Sequence, residues 1–236
     1  MTIQRTYAII GGTSGMGFGV ARRLVDRGDR VLIGGRDQGR LQHAAGVLGE
    51  RATTRVVDVT DRATLSSFFS KAPPLSGLFT PAASYQTGSF RDASPEIAAS
   101  PFHSKFWGQY WTVHAALPYL APTSGIVLVS GAASVRPLGS ASYTACNAAI
   151  EGLARGLATE LAPIRVNCLS PGTIDSELWR MRPSNIREAA FSTWEDLTLS
   201  GRVALLDEIV DAALFLLDNA NMNGTTLYCD GGYALR

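Results

Sequence analysis

Tyr143, in the segment SYTACNAAIEG, is the side chain of this sequence whose setting bears most directly on proton transfer. A free tyrosine has a pKa near ~10, so its phenol exchanges protons at neutral pH only when a nearby cation favours the phenolate. A lysine one helical turn after a tyrosine is a known way to supply this cation. The residue four positions after Tyr143 is Asn147, so any such cation has to come from another part of the chain.

A glycine-rich turn, GGTSGMG, follows the first apolar run and precedes a helical stretch. Its glycines, Gly11, Gly15 and Gly17, permit a sharp turn and a close approach of the backbone to a pyrophosphate. The helix that follows presents free N–H groups and the positive end of its dipole to such an anion. A glycine pattern alone is weak, but its place in a strand–turn–helix unit predicts a dinucleotide site.

The elements that position these groups alternate regularly along the chain. Apolar runs such as TYAII and GIVLV are typical of strands covered on both faces, and helical stretches separate them, among them 16–26, 101–120, 141–161 and 207–217. This alternation predicts a single-domain α/β Rossmann fold over 1–236, a doubly wound parallel sheet of about seven strands with helices on both faces. The irregular region at about 173–200 follows a late strand and is expected to form a substrate lid.

Composition excludes several classes of function. The net charge of +1 shows no basic surplus for nucleic acid, and no stretch approaches the ~18 apolar residues of a membrane span. The three cysteines, Cys146, Cys168 and Cys229, contain no CxxC pair, which indicates a reducing compartment, and we expect a cytoplasmic protein. The three histidines are scattered, so no metal site is expected.

Several motifs in order resemble the short-chain dehydrogenase/reductase family over nearly the whole chain: GGTSGMG, VVDVTD, the SY segment, IRVNCLSPG and YCDGGY. The resemblance implies a nicotinamide cofactor and a hydride transfer between it and a carbonyl or alcohol. Pro81 departs from the family pattern after the fourth strand and removes a backbone donor there. The cofactor-binding residues implied are Gly11, Thr13, Ser14, Gly15, Met16, Gly17, Arg36, Asp58, Val59, Ala82, Asn147, Pro171, Gly172, Thr173 and Ile174.

The end of the second strand, VLIGGRD, bears on the choice of nicotinamide. An acidic residue at this point would bond an NAD ribose, whereas a basic group would meet the 2′-phosphate of NADP. The acidic position is Gly35, and Arg36 follows it with a planar, charge-assisted fork. We therefore predict NADP(H) as the cofactor, with Asp37 capping the next helix.

In the family, a serine polarises the substrate carbonyl and a tyrosine donates the proton. Tyr143 stands at the tyrosine position, and Ser130, thirteen residues earlier, is the predicted serine. Counting from the strand end would place Gly131 there instead, and Ser134 is a further alternative.

The family's lysine and relay asparagine are exchanged in this chain. Asn147 stands at the lysine position, and Lys105, in FHSKFWGQY, stands at the asparagine position. We hypothesise that Lys105 brings its ammonium to Tyr143 from the neighbouring helix and that Asn147 bonds the nicotinamide ribose.

Aromatic residues in the predicted lid indicate a bulky or apolar substrate. The lid residues are Trp179, Met181, Phe191 and Trp194, and Tyr85 and Phe90 are expected to face the same cleft. The family commonly forms dimers and tetramers through its long helices, so a homodimer or homotetramer is expected, with Trp107, Tyr110 and Trp111 in the contact surface.

Three functions are consistent with these residues. The first is an NADPH-dependent carbonyl reductase or alcohol dehydrogenase. The second is a catalytically silent NADP(H)-binding sensor or partner protein, and the side that Lys105 faces distinguishes it from the first. The third is an elimination or isomerisation without net hydride transfer, which the glycine turn and Arg36 disfavour.

Overall fold

A computed structural model describes residues 4–236, apart from the side chains of residues 178 and 180. Its strands are β1 (Thr6–Ile10), β2 (Arg30–Gly35), β3 (Ala52–Val56), β4 (Leu75–Thr80), β5 (Leu120–Val129), β6 (Arg165–Pro171), β7 (Ile174–Asp175), β8 (Ala204–Leu205) and β9 (Thr226–Cys229). Seven of them form one parallel sheet in the order β3-β2-β1-β4-β5-β6-β9, and β7 pairs with β8. The predicted doubly wound sheet is confirmed, and the strand order reverses between β1 and β4, where such sheets bind ligands.

Helices cover both faces of the sheet. They are α1 (Gly15–Asp26), α2 (Gln38–Leu48), α3 (Arg62–Phe69), α4 (Pro95–Pro101), α5 (Trp107–Ala116), α6 (Ala141–Glu160), α7 (Glu177–Arg180), α8 (Ser184–Leu197) and α9 (Leu206–Asp218). The apolar core has two parts: α1, α2 and α9 enclose one, and α3, α5 and α6 enclose the other. β1 supplies both, since Ala8 and Ile10 point to one face while Tyr7 and Ile9 point to the other.

The long helix expected over 101–120 is interrupted. Pro101 ends α4, and a π-helical turn over Phe102–Phe106 joins it to α5. Proline lacks a backbone N–H, and single π turns occur often at functional sites. The π turn buries Lys105, whose side chain is 5% exposed.

The region predicted as a lid contains more regular structure than its sequence suggests. It comprises β7, α7 and the 14-residue helix α8. None of the side chains of α8 is fully buried, although Ile186, Ala190, Trp194 and Leu197 recur at helical spacing. The prediction of an irregular region is therefore wrong for residues 184–197.

Gln109 fixes α5 to the end of β5. Its carboxamide accepts a hydrogen bond from the N–H of Val129 (2.7 Å) and donates one to the carbonyl of Val129 (2.9 Å). The last residue of β4, Thr80, pairs with Leu128 of β5. Val129 therefore extends beyond β4, while on its other side it still pairs with Leu169 of β6. The Gln109 amide takes the place of the next strand residue and holds α5 against the carboxyl end of β5.

No helix in the described part of the chain is long and apolar enough to cross a membrane.

The buried amide of Gln109 provides a test of this fold. Replacing Gln109 by Leu leaves two buried backbone groups of Val129 without partners, at a cost of about 1–3 kcal/mol each. We expect Gln109→Leu to lower the free energy of unfolding by about 2–4 kcal/mol in urea titrations. Gln42→Leu, the same change at an exposed position of α2, is the control. Equal stability of the two variants would contradict the role assigned to Gln109.

Candidate active site

The turn between β1 and α1 requires glycine at two positions. Gly11 has a φ of +93°, and a Cβ atom there would lie 3.0 Å from the backbone of Ala82. A Cβ atom at Gly17 would lie 2.1 Å from the carbonyl oxygen of Gly11. The backbone segments after β1 and β4 therefore approach closely, and Ala82 donates its N–H to the carbonyl of Ile10 (3.1 Å).

The N-terminus of α1 is open to an anion. Ser14 caps the helix in an extended conformation but makes no side-chain capping hydrogen bond, and the first turn holds no acidic residue. A Cβ atom at Gly15 would meet nothing within 4 Å. The free N–H groups and the helix dipole thus face open space, which fits the pyrophosphate of a dinucleotide.

Arg36 lies at the end of β2, on the same edge of the sheet. Its side chain is exposed, and Gly35 beside it leaves room for Thr13, whose methyl group a Cβ atom at Gly35 would approach to 3.0 Å. Burial raises the pKa of Asp58, but hydrogen bonds from Thr60 and the charge of Arg36 outweigh it, so the pKa lies below its usual value. Arg36 is therefore close enough to Asp58 for its charge to act on that carboxylate.

The other residues predicted to contact the cofactor lie at or near this carboxyl edge of the sheet. They differ in how far their side chains are buried. Val59 is buried and packs against Gly108 of α5, so its side chain belongs to the core. Met16 and Ile174 are partly buried against the part of the core that α1, α2 and α9 enclose. Pro171 ends β6, the Gly172 N–H bonds the Cys229 carbonyl, and the Thr173 carbonyl accepts from Ala204.

Tyr143 lies in the first turn of α6 and is paired with a second tyrosine. The hydroxyl of Tyr85 donates to the hydroxyl of Tyr143 at 2.9 Å. The two rings stack with their centroids 5.0 Å apart and 25° between their planes. We expected Tyr85 to face the substrate cleft, and its bond to Tyr143 was not predicted. Phe90 is 86% exposed and does not pack into this pair.

The Lys105 side chain reaches the same place from the π turn. Its Nζ donates to the Oδ1 of Asn147 (2.5 Å) and to the backbone carbonyl of Ser130 (2.8 Å). It lies 5.0 Å from the ring centroid of Tyr143 and 5.7 Å from that of Tyr85. The chain has only one other lysine, Lys71, which is exposed at the end of α3.

This arrangement changes the acidity of Tyr143. Burial of the phenol raises its pKa, because the phenolate loses water. The positive charge of Lys105 and the hydrogen bond from Tyr85 act the other way and outweigh burial, so the pKa of Tyr143 lies below its ordinary value. Tyr85 differs: burial and the neighbouring Tyr143 raise its pKa.

The structure does not bring the Ser130 hydroxyl to Tyr143, and this corrects the prediction for Ser130. Its side chain turns to the opposite side and donates to Glu151 Oε1 (3.1 Å). Ser134 donates to the same oxygen (2.5 Å), and the hydroxyl of Tyr228 donates to Oε2 (2.9 Å). Glu151 is buried, so these three hydroxyls compensate its carboxylate, and neither serine is free to bind a substrate carbonyl.

Gly131 occupies the position beside the phenol. A Cβ atom on Gly131 would lie 3.4 Å from both the hydroxyl of Tyr143 and the Oδ1 of Asn147. Counting from the strand end therefore identifies this position correctly, and counting back from Tyr143 to Ser130 does not. The residue here carries no hydroxyl.

Asn147 also differs from the prediction. It is fully buried, its Oδ1 accepts from Lys105, and its Nδ2 donates to the backbone carbonyl of Tyr143 (3.0 Å). Both ends of its amide are engaged inside the protein, so it does not reach a cofactor ribose. It holds the lysine ammonium at the start of α6 instead.

The predicted lid residues are only partly brought together. Trp179 and Phe191 form an edge-to-face pair with centroids 5.7 Å apart, while Trp194 packs against Tyr233 near the C-terminus (4.9 Å). Met181 is 78% exposed. A cavity of about 470 Å³ lies along α8 and does not include Tyr143; its lining residues are Asp175, Arg187, Glu188, Phe191, Ser192 and Glu195.

Within residues 4–236, no group of three or more His, Cys, Asp or Glu residues is placed to hold a metal ion. The three cysteines are unpaired.

Comparison with known proteins identifies the family. The model of a family described as enoyl-(acyl carrier protein) reductase matches residues 11–234. Galactitol 2-dehydrogenase (L-tagatose-forming) from Cereibacter sphaeroides is 31% identical over 97% of this chain and 94% of its own length. The chain belongs to the short-chain dehydrogenase/reductase family. It is thus a member of a family of oxidoreductases that act on CH–OH and C=O groups.

Solved structures of short-chain dehydrogenases agree. One, a small-chain dehydrogenase in complex with NADPH, is 28% identical, with a TM-score of 0.82 over 99% of this chain and 100% of the other. A second is an NADPH-bound short-chain oxidoreductase from Pseudomonas aeruginosa PAO1, described as containing an atypical catalytic center. It is 26% identical, with a TM-score of 0.86 over 97% of this chain and 96% of the other.

Proposed function

We propose that this chain is an NADPH-dependent carbonyl reductase that also runs in reverse as an alcohol dehydrogenase. The observation that carries the proposal is the ammonium of Lys105, buried 5.0 Å from the ring centroid of Tyr143. A lysine with only a surface role would not be 5% exposed and directed at a phenol. Its position favours the enzyme over the silent sensor.

The cofactor residues fit a nicotinamide dinucleotide. The glycine turn and the uncapped N-terminus of α1 would hold the pyrophosphate, and the segment from the end of β6 to the start of β7 (171–174) would meet the nicotinamide end. When bound, the dinucleotide supplies or accepts the hydride.

Tyr143 carries the proton in this proposal. In the reducing direction its phenol donates a proton to the substrate oxygen, and in the oxidising direction its phenolate accepts one. The lowered pKa of Tyr143 makes both forms accessible nearer neutral pH. Lys105 acts on this equilibrium through its charge, and Asn147 keeps its ammonium in place.

The exchange of residue types is therefore functional in our proposal. The cation comes from the π turn before α5, and the amide comes from α6, where the family has the reverse. The π turn and α6 both reach the phenol of Tyr143. The position of the positive charge relative to that phenol therefore matters more than the element that supplies it.

We propose bulky or apolar carbonyl compounds as substrates. The segment 173–200 carries the aromatic pair of Trp179 and Phe191 and the exposed Met181, which could contact such a substrate. A ketose belongs in any substrate panel as well, because a relative forms L-tagatose. We propose a cytoplasmic location, which the three unpaired cysteines support.

Lys105→Met is expected to lower kcat for NADPH oxidation by roughly 100-fold, within the range for general acid–base catalysis. Because Lys105 lowers the pKa of Tyr143, its loss raises that pKa. Reduction needs the protonated phenol, so the fall in rate at alkaline pH should begin at a higher pH in the variant. The measurement is steady-state turnover against aromatic and aliphatic ketones, aldehydes and a ketose, across pH.

Lys71→Met is the matched control, since it removes the only other lysine and should leave turnover unchanged. Full turnover and an unchanged pH profile in Lys105→Met would refute the catalytic role of Lys105. Tight NADPH binding by the wild-type protein without turnover on any carbonyl would support the sensor.

We propose NADP(H) over NAD(H) because Arg36 follows the end of β2 where Gly35 lacks a carboxylate. Arg36→Ala should weaken NADPH binding at least ~10-fold, since it removes a charge-assisted bond to the 2′-phosphate, and leave NADH binding nearly unchanged. Calorimetric titration with both nucleotides measures this. Arg40→Ala, at an exposed position of α2, is the control. An equal loss for NADH and NADPH would contradict the assignment.

We propose a homodimer or homotetramer formed through α5 and α6. Trp107 and Trp111 stack along α5 with centroids 6.2 Å apart, and Trp107 is 45% exposed. Light scattering should give a dimeric or tetrameric mass for the wild type and a monomeric mass for Trp107→Glu. Phe90→Glu, at an exposed aromatic between β4 and α4, should keep the wild-type mass. A monomeric wild-type protein would contradict this proposal.

A further inference from the structure

The proposed reaction lacks one component in this site. A carbonyl oxygen that gains negative charge is stabilised by preorganised hydrogen-bond donors, and the proton-donating phenol supplies one of them. The serine that supplies the second donor in the family has no counterpart here. Ser130 and Ser134 both donate to Glu151, and Gly131, which faces the phenol, carries no hydroxyl.

Tyr85 places a hydroxyl at the same point from the loop after β4. Its oxygen lies 2.9 Å from the oxygen of Tyr143, and its ring stacks on the ring of Tyr143. Tyr85 is 37% exposed, so the tyrosine pair lies at the protein surface and not in the core. A carbonyl oxygen that enters between the two hydroxyls can accept from both, one for each lone pair.

We propose that the Tyr85 hydroxyl is the second hydrogen-bond donor to the substrate's carbonyl oxygen, in place of the absent serine. This inference rests on the proposed carbonyl reduction. In the free protein the Tyr85 hydrogen points to Tyr143, and it turns to the substrate oxygen when the carbonyl enters. Tyr85 then touches the reacting atoms and is a catalytic residue.

The two tyrosines have different tasks because their surroundings differ. Lys105 lies closer to the ring of Tyr143 (5.0 Å) than to that of Tyr85 (5.7 Å). The pKa of Tyr143 is lowered, whereas burial and Tyr143 raise the pKa of Tyr85. Tyr143 is thus the group that ionises, and Tyr85 keeps its proton and only donates a hydrogen bond.

The balance of the step follows from these tasks. The carbonyl carbon would gain the hydride that the reduced dinucleotide supplies when bound, the π pair would move to the oxygen, and that oxygen would take the proton of Tyr143. Tyr143 becomes a phenolate, and the hydrogen bond from Tyr85 to the product oxygen can return to that phenolate. Nothing is transferred from Tyr85.

Gly131 offers a rescue test of this assignment. Its backbone is extended (φ 177°, ψ 148°), which any residue adopts, and a Cβ atom there would lie 3.4 Å from the Tyr143 hydroxyl. Gly131→Ser would therefore place a hydroxyl beside the phenol at the position where the family has its serine.

The experiment compares kcat, KM and pH profiles of the wild type, Tyr85→Phe, Gly131→Ser and the double variant, on a carbonyl that the wild type reduces. Tyr85→Phe should lose about 100-fold in kcat with a smaller change in KM, as expected when one donor to a developing oxyanion is removed. The double variant should regain at least ~10-fold of this loss. Tyr119→Phe, which removes a hydroxyl away from the site, should behave as wild type.

A second readout needs neither substrate nor cofactor. The hydrogen bond from Tyr85 lowers the pKa of Tyr143, so Tyr85→Phe should move one tyrosine ionisation to higher pH in an ultraviolet titration of the free protein. Turnover by the wild type with an unimpaired Tyr85→Phe would overturn the role of Tyr85 and leave the proposed function intact. A loss in Tyr85→Phe that Gly131→Ser does not restore would also overturn it. Absence of wild-type turnover would instead defeat the proposed function, and this inference with it.

Discussion

The buried ammonium of Lys105 constrains the structure around the candidate active site. A charged group that is removed from water needs hydrogen-bond partners within the protein. Lys105 meets this requirement with two oxygens, the carbonyl of Ser130 and the amide of Asn147, which belong to the end of β5 and to α6. These contacts fix the distance between the π turn, the sheet edge and Tyr143. The two hydrogen bonds of Lys105 therefore connect the π turn to β5 and α6, and they also hold the ammonium near the phenol of Tyr143.

Several features of the chain serve this arrangement. The π turn after Pro101 places both Ser104 and Lys105 in buried positions. Ser104 bonds the backbone of Ser84, in the loop that carries Tyr85, so one turn positions the lysine and, through that loop, the second tyrosine. Glu151, one turn after Asn147 on α6, accepts hydrogen bonds from Ser130 and Ser134, so neither hydroxyl is free beside the site. The result is a site built from two tyrosines and a lysine, without a serine.

The sequence predicts the fold well but predicts only part of the candidate site. The fold follows from local patterns, whereas several contacts of the site join residues that are far apart in the sequence. Strands, helices and the glycine turn are determined by local patterns, and Asp37 caps α2 as expected. The approach of Lys105 to the start of α6 also agrees with the prediction from its position in the sequence, and Lys105 bonds Asn147 there. The direction of the Ser130 side chain is not predicted, since it depends on Glu151, which lies 21 residues further along the chain. Tyr85 and Tyr143 are 58 residues apart in the sequence. Their hydrogen bond depends on the loop after β4, whose sequence shows no periodicity that would predict its conformation. Glu151 lies four residues after Asn147 on the same helix. An acidic residue at that position was a sequence signal that Ser130 could have a partner other than the substrate.

The most direct measurement of the central claim is the ionisation of Tyr143 itself, followed by NMR in protein labelled at the tyrosine ring carbon that bears the hydroxyl. Tyr143→Phe assigns its signal among the seven tyrosines. If Lys105 supplies the cation, the Tyr143 signal in the wild type titrates below the ordinary tyrosine range, and Lys105→Met moves its midpoint to a higher pH. The same midpoint in both proteins would show that Lys105 does not act on Tyr143 and would contradict the account.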